Sequence, residues 1–429
     1  MHIRRRHLLE LAGASLLSSP AGAADFDWKR FAGKQLRFMV SVHPWTQWAQ
    51  SQLPALERDT GIRVNWEILY EDQLRQKLPL TLRSDPGAVD GFFTLPSWDA
   101  AAFSRAGWYQ PLDRLIQSDL TAPDYDYADF FRNILKIQEY DAVQIGIPIT
   151  IELQALFVNK ALLQAKGLVI PTTLEQLMVA ARSLKDSAND VAGIVTRGDG
   201  VQAVYTFAPF LFAFGGRWQD EKGNPELATQ PAIKALQYYG DLLRAAGPPN
   251  ILGMQWKTTY PLFQQAHAAM FIDATNFLAY FKDPSQSRVV DQVAVGALPA
   301  GPAGEHSTVI SWGPAIASSS RNKEATWIVI QYLTSKAAMA ASTRATHLPP
   351  SRQSVYNSDI YAASVPPDMI AVTKAEIPNA IPNGANPLVI PVPEVRAAIG
   401  EAITAVLEGR NATEAANKMQ KEVTQILNG

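Results

Sequence analysis

The period of apolar and polar positions changes repeatedly along this chain, and each change marks an element. Gln35-Leu-Arg-Phe-Met-Val-Ser-Val42 is an apolar run of strand length, and Ile62-Arg-Val-Asn-Trp-Glu-Ile-Leu69 alternates with the period of two that a pleated strand requires. Val89-Asp-Gly-Phe-Phe-Thr-Leu95 is a third such run. Between them, residues 47–60 and 71–83 carry helical spacing, stopped at Gly61 and at Asp85-Pro-Gly87. His43-Pro-Trp-Thr46 and Pro96-Ser-Trp-Asp99 read as loops leaving the first and third strands, and 100–106 as a short helix. Strands alternating with helices predict βαβ units and a mostly parallel sheet.

The middle of the chain breaks this rhythm. In Gly146-Ile-Pro-Ile-Thr-Ile-Glu-Leu-Gln-Ala-Leu-Phe-Val-Asn-Lys160, two apolar segments, 143–147 and 153–158, are interrupted at Pro148, which cannot donate to a ladder. Glu152 lies between them, a carboxylate among apolar neighbours. This suits a crossing between two lobes, with Pro148 near a hinge and Glu152 facing the cleft. Beyond it, Thr172 with Glu175 predicts a capping box, and 193–196, 268–272, 293–298 and 312–317 read as strands. Residues 203–214 are apolar and aromatic without a clear period. Helices are expected over 231–246, 323–334, 394–408 and 413–427, the last capped by Asn411.

Length and composition narrow the class. A chain of 429 residues holds two or three domains. A formal net charge of −2 with no basic run excludes a nucleic-acid partner. Cysteine is absent, which excludes disulfides, thiolate metal sites, thiol nucleophiles and a lipid-modified N-terminal cysteine. Arg4-Arg-Arg6, the apolar run 8–17 and Ala21-Gly-Ala23 form an export leader over 1–23. Arg5-Arg6-His7-Leu8-Leu9 also suits twin-arginine export. The mature protein is then free in the periplasm, as no later stretch has the ~18 apolar residues of a membrane span.

The usual catalytic signatures are missing. The four histidines after the leader, His43, His267, His306 and His347, are not at metal-ligand spacing, so no metal or other cofactor is expected. HExxH, GxSxG, GxGxxG and phosphate-loop motifs are absent. A two-carboxylate glycosidase stays open, because nothing in the sequence singles out a pair.

The landmarks together resemble the extracellular solute-binding proteins of ABC importers, in the group that binds sugars and polyols. Thr60-Gly-Ile-Arg-Val64, the 146–160 stretch, and Pro171-Thr-Thr-Leu-Glu175 match in order. So do Phe214-Gly-Gly-Arg-Trp218, Ala268-Ala-Met-Phe-Ile272, Leu298-Pro-Ala-Gly-Pro302, Asn322-Lys-Glu-Ala325 and Leu348-Pro-Pro-Ser-Arg352. Two departures stand out. Ala266-His267 replaces the family's Gly-Lys, and Phe157-Val158 replaces tyrosines whose hydroxyls could bond a ligand.

The resemblance implies a two-lobed periplasmic-binding-protein fold of class α/β, each lobe a mostly parallel sheet flanked by helices. The lobes would be 24–147 plus 309–345 and 148–306 plus 346–429. Such a protein captures a sugar, polyol or sugar derivative by hinge closure and passes it to inner-membrane permease subunits driven by a cytoplasmic ATPase. It would act as a monomer and make or break no bond. The alternatives are an exported carbohydrate-active enzyme, a binding protein for a non-carbohydrate solute, and a sensor subunit for a receptor kinase. Sugar C–H faces call for aromatic planes and hydroxyls for amides and charges. The candidate ligand-binding residues are therefore Trp45, Trp98, Glu152, Trp218, Asp273, Asn276, Trp312 and Arg352. Each has a plainer role open to it, as a core ring, a hinge-surface carboxylate or a solvated arginine. Arg352 in the cleft would point to an anionic sugar derivative.

Overall fold

The computed structural model describes residues 26–429; the export leader expected over 1–23 lies outside them. Among the described residues the strands are β1 (Gln35–Ser41), β2 (Arg63–Leu69), β3 (Gly91–Thr94), β4 (Glu139–Tyr140), β5 (Val143–Gln144), β6 (Glu152–Asn159), β7 (Met270–Ala274), β8 (Val293–Gly296), β9 (Thr308–Ile310), β10 (Gly313–Ile316) and β11 (Ile381–Pro382). They form two main sheets, one per lobe, and β4 and β5 form a separate small hairpin.

The first sheet runs β10-β3-β1-β2. β1 pairs in parallel with β2 and β3, as the βαβ pattern requires, and β10 joins β3 antiparallel. Its connections are helices α1 (Pro44–Thr60), α2 (Glu71–Ser84) and α3 (Pro96–Arg105). Both segments read as loops from the sequence are in fact helix starts. A proline at the first helical position loses nothing, since that N–H has no intrahelical acceptor anyway. His43 caps α1, its Nδ1 accepting the Trp45 N–H at 3.0 Å.

The second sheet runs β11-β9-β6-β7, with β8 also on β6. All eight residues of β6 are buried, which explains why its apolar residues do not alternate with exposed polar ones. Phe157 packs on Phe271 and Phe281, so the departure at 157–158 falls in core rather than at a ligand. The expectation of a mostly parallel sheet fails in this lobe: β6 is antiparallel to β7, β8 and β9. A long helical excursion separates β6 from β7, so no single βαβ crossover fixes their direction. The strand expected at 193–196 touches β7 only through isolated parallel bridges, Ala192 to Ala268 and Val195 to Phe271.

Three smaller differences have clear causes. The aperiodic 203–214 segment is the Gly200–Ala213 helix, buried continuously from Ala203, and a helix that is apolar all round belongs in a core. Thr173 rather than Thr172 caps the next helix, while Gln176 Oε1 accepts the Thr172 N–H. Ala266 adopts φ 63°, the left-handed conformation that suits the glycine found there in the resembling family.

The chain passes between the sheets along three adjacent segments. The Ile149 N–H donates to the Trp312 carbonyl at 3.1 Å, and the Ile151 N–H to the Pro349 carbonyl at 3.0 Å. The Ser351 hydroxyl donates to the Pro148 carbonyl at 2.7 Å. A Cβ on Gly313 would lie 2.6 Å from the Ile147 carbonyl oxygen, so the two backbones approach too closely there for a side chain. No described helix is long and apolar enough to cross a membrane.

Candidate ligand-binding site

A cavity, partly open to solvent, lies between the lobes. The first lobe supplies the residues just past the C-terminal ends of its parallel strands, where open α/β sheets place ligands. These are Ser41 to Pro44 after β1, Glu71 and Arg75 after β2, and Ser97 and Trp98 after β3. The second lobe supplies Glu152 at the start of β6, Asn276, Phe277 and Tyr280 after β7, and Arg197, Tyr205 and Trp256. Ile310 and Trp312 come from a crossing segment, and Asn386 and Arg396 from the C-terminal region.

Charged groups are held by one another. Arg75 donates from Nε and Nη2 to Glu71 Oε1 at 3.0 and 2.7 Å, and from Nη1 to Asp99 Oδ1 at 3.0 Å. Its guanidinium carbon lies 3.9 Å from the Trp98 ring centre. Arg197 donates bidentately to Asp273 at 2.8 and 2.7 Å and lies over the Tyr205 ring. Because His43 Nδ1 accepts a backbone N–H, its Nε2 carries the proton and donates to Glu152 Oε1 at 3.2 Å. The Thr150 hydroxyl donates to the same oxygen at 3.1 Å.

The environment shifts several of these groups. Burial pushes the Glu71 carboxyl up, but Arg75, Arg197 and Arg396 outweigh it and hold the carboxyl below its ordinary value. Burial raises Asp99 and Asp273 in spite of their arginines. Burial, reinforced by repulsion from Arg75 and Arg197 and opposed by Glu71, lowers Arg396 to about 9.

Three buried polar atoms on cavity-lining residues have no hydrogen-bond partner among the described residues: the Tyr205 hydroxyl, Asn276 Oδ1 and Arg396 Nε. Buried polar groups are normally satisfied, and leaving one unsatisfied costs about 1–3 kcal/mol. The cavity therefore offers directed donors and acceptors beside aromatic rings, which matches a small polyhydroxylated solute.

Of the candidates from sequence, Trp98, Glu152, Asn276 and Trp312 line the cavity. The other four do not, and each has another partner. Trp45 is buried against Trp66 and Phe93. Trp218 packs on Phe207 and Phe212 and donates its indole N–H to the Gly384 carbonyl at 2.8 Å. Asp273 is fully buried behind Arg197. Arg352 is fully buried, donating to the carbonyls of Thr334 and Asp126 and stacking on Phe130. Sequence reasoning passed over His43, Glu71, Arg75, Arg197, Tyr205, Trp256, Tyr280 and Arg396. One signal was available for Arg396: it is the one cation in the mostly apolar Val392–Leu407 helix and lies near its N-terminal end, where the helix dipole disfavours positive charge.

Relatives share this architecture. A mannitol-binding protein of Pseudomonas aeruginosa is 28% identical over 350 residues, covering 79% of this chain and 77% of that protein. An erythritol/L-threitol-binding protein of Mycolicibacterium smegmatis is 26% identical over 397 residues, covering 83% of each. The solved structure of an ABC transporter solute-binding protein from Agrobacterium radiobacter K84 in complex with ribitol superposes with a TM-score of 0.84 at 24% identity, covering 92% of this chain and 99% of that one. A solute-binding protein from Agrobacterium vitis S4 with bound D-mannitol gives 0.81, also at 24% identity, covering 92% and 98%. The family model of the bacterial extracellular solute-binding proteins matches residues 43–340, well over half of the sequence, and the chain belongs to that family.

Proposed function

We propose that this protein is a periplasmic binding protein that captures a polyol, sugar or sugar derivative and delivers it to an ABC-type permease driven by a cytoplasmic ATPase. The observation that carries the reading is the set of buried, unpartnered polar atoms on Tyr205, Asn276 and Arg396 around a cavity between two lobes. Solute hydroxyls are groups that can both donate to and accept from such atoms. The names of the P. aeruginosa and M. smegmatis relatives favour a polyol. Trp98 and Trp312 present ring surface to C–H groups, and Glu152 and Asn276 accept from hydroxyls.

In this reading the lobes are 24–147 plus 309–345 and 148–306 plus 346–429. The return crossing is moved from 306–309 to 310–313, since β9 pairs in the second sheet and β10 in the first, so β9 goes with the second lobe. The lobes close about the crossings on the solute, and the closed form docks on the permease. The leader over 1–23 is cleaved on export, and the mature monomer leaves its solute chemically unchanged.

A thermal-shift screen over alditols, sugars and sugar acids tests this, because a ligand that binds only the folded state raises the melting temperature. A shift confined to members of that panel is expected. Shifts given only by amino acids, peptides or metal ions would refute the reading, as would turnover of a glycoside.

A further inference from the structure

Three arginines line the cavity, and they differ in one respect. Arg75 is paired with Glu71 and Asp99, and Arg197 with Asp273. Arg396 is only 4% exposed and forms no ion pair among the described residues. Its Nη1 donates to Asn386 Oδ1 at 2.8 Å and its Nη2 to the Val201 carbonyl at 2.6 Å, both neutral oxygens. Its Nε reaches no acceptor. The guanidinium carbon lies 4.5 Å from the Trp98 ring centre, so the group is held in place at the cavity wall.

A guanidinium at this depth without a counter-ion is unfavourable on its own account. Burial and the neighbouring arginines oppose its charge strongly enough to bring its pKa down to about 9. A carboxylate entering the cavity would relieve this, because a charge-assisted hydrogen bond to a buried guanidinium is among the stronger polar contacts available. Arg75 and Arg197 are already neutralised by their carboxylates, and the wall at Glu152 and Asn276 is of the opposite kind. Glu152 and Asn276 Oδ1 are acceptors that repel a carboxylate and take hydroxyls. The cavity wall thus distinguishes an anionic group from a hydroxyl-bearing chain.

We infer that the preferred solute is a polyhydroxy carboxylate of the aldonate type, its carboxylate on Arg396 and its hydroxyls toward Glu152 and Asn276. This deepens, and rests on, the proposal of a polyol- or sugar-binding function. Arg396 is then the residue that sets specificity between an alditol and the acid of the same carbon skeleton.

Calorimetric titration of the mature protein with D-gluconate and D-mannonate, against D-sorbitol and D-mannitol, provides the test. The aldonates should bind at least about tenfold more tightly than the matching alditols. Arg396→Gln should weaken aldonate binding about a hundredfold, as expected when one partner of a buried charge pair is removed, and alditol binding by no more than about tenfold, the loss of one hydrogen bond to a neutral hydroxyl. Arg396→Lys should keep part of the preference; should the glutamine variant not fold, the wild-type preference and the lysine variant decide. Alditols binding as well as or better than aldonates would overturn the inference and leave the polyol reading standing. An aldonate preference that survives in Arg396→Gln would overturn the role of Arg396. Binding of neither class would overturn the inference, and the polyol or sugar reading would fall with it only if no alditol, sugar or sugar acid of the thermal-shift panel gave a shift.

Discussion

Two proline–tryptophan turns leave neighbouring strands of the first sheet, and they end in opposite places. Each starts a helix with proline at its first position: Pro44 in α1 and Pro96 in α3. Trp45 is the second helical residue and Trp98 the third, and one residue turns a helix by about 100°. Trp45 is thereby directed under the sheet edge against Trp66 and Phe93, and only 1% of it is exposed. Trp98 instead lines the cavity, with the guanidiniums of Arg75 and Arg396 over its ring. The same local sequence signal serves stability at one turn and supplies a site wall at the other. What separates them is the count from the helix start, which a loop assignment hides.

The largest expected effect breaks this pair apart. Trp45→Ala should cost about 3–5 kcal/mol of folding stability, the usual range for emptying a buried tryptophan site, measured by urea unfolding. The protein that remains folded should still show a thermal shift with its solute. Trp98→Ala should do the reverse, leaving the apo melting temperature nearly unchanged and abolishing the solute shift. If the two variants lost stability equally, Trp98 would be a core ring and the contrast would be void.

Two buried arginines form a second pair. Arg352 would have suggested an anionic solute had it faced the cleft, but it lies away from the cavity, its Nε donating to the Thr334 carbonyl and its Nη1 to the Asp126 carbonyl and to Asp129 at 3.4 Å. Arg396 occupies the position at the cavity that Arg352 was expected to take. Arg352→Met should therefore destabilise by about 3 kcal/mol, since it removes the counter-ion of Asp129 and the donor to the Thr334 and Asp126 carbonyls, while leaving solute affinity unaltered. A loss of solute affinity with unchanged stability would show that Arg352 acts at the site after all.

What could be read from the sequence divides along the same line. The crossing at 145–151 was legible because Pro148 and Glu152 interrupt an apolar run locally. The Lys323–Thr334 helix and the Asn411 cap were legible for the same reason: their signals lie within a few residues. The antiparallel pairing of β6 was not, because it depends on where the chain returns more than a hundred residues later. The apolar Gly200–Ala213 helix has no polar face to give it a period. The charged wall was the least legible. Arg197 and Tyr205 lie close together in sequence, but the partner of Arg197 is Asp273, and Arg396 comes from the far C-terminal region, so the wall takes its meaning from contacts distant in sequence. Asp273 was misread because its partner, Arg197, lies 76 residues earlier.

The smallest effect concerns two carboxylates that looked alike. Asp273 has both oxygens engaged, Oδ2 by Arg197 Nε and Oδ1 by Arg197 Nη2 and the Ala274 N–H. Glu152 receives His43 and Thr150 on Oε1 alone, and its Oε2 makes no protein hydrogen bond among the described residues. An oxygen left over on a cavity-lining carboxylate is available to a solute hydroxyl, whereas Asp273 has none to offer. Glu152→Gln keeps a carbonyl oxygen that can accept from His43 Nε2–H and the Thr150 hydroxyl, so folding stability should change by less than about 0.5 kcal/mol. It replaces the second oxygen with a donor, so solute binding should weaken by about 1–2 kcal/mol, or roughly tenfold, in calorimetric titration. Asp273→Asn should behave differently, losing stability because Arg197 keeps its charge without a counter-ion. A Glu152→Gln variant that unfolds readily yet binds normally would place Glu152 with Asp273, as a carboxylate whose work is done inside the protein.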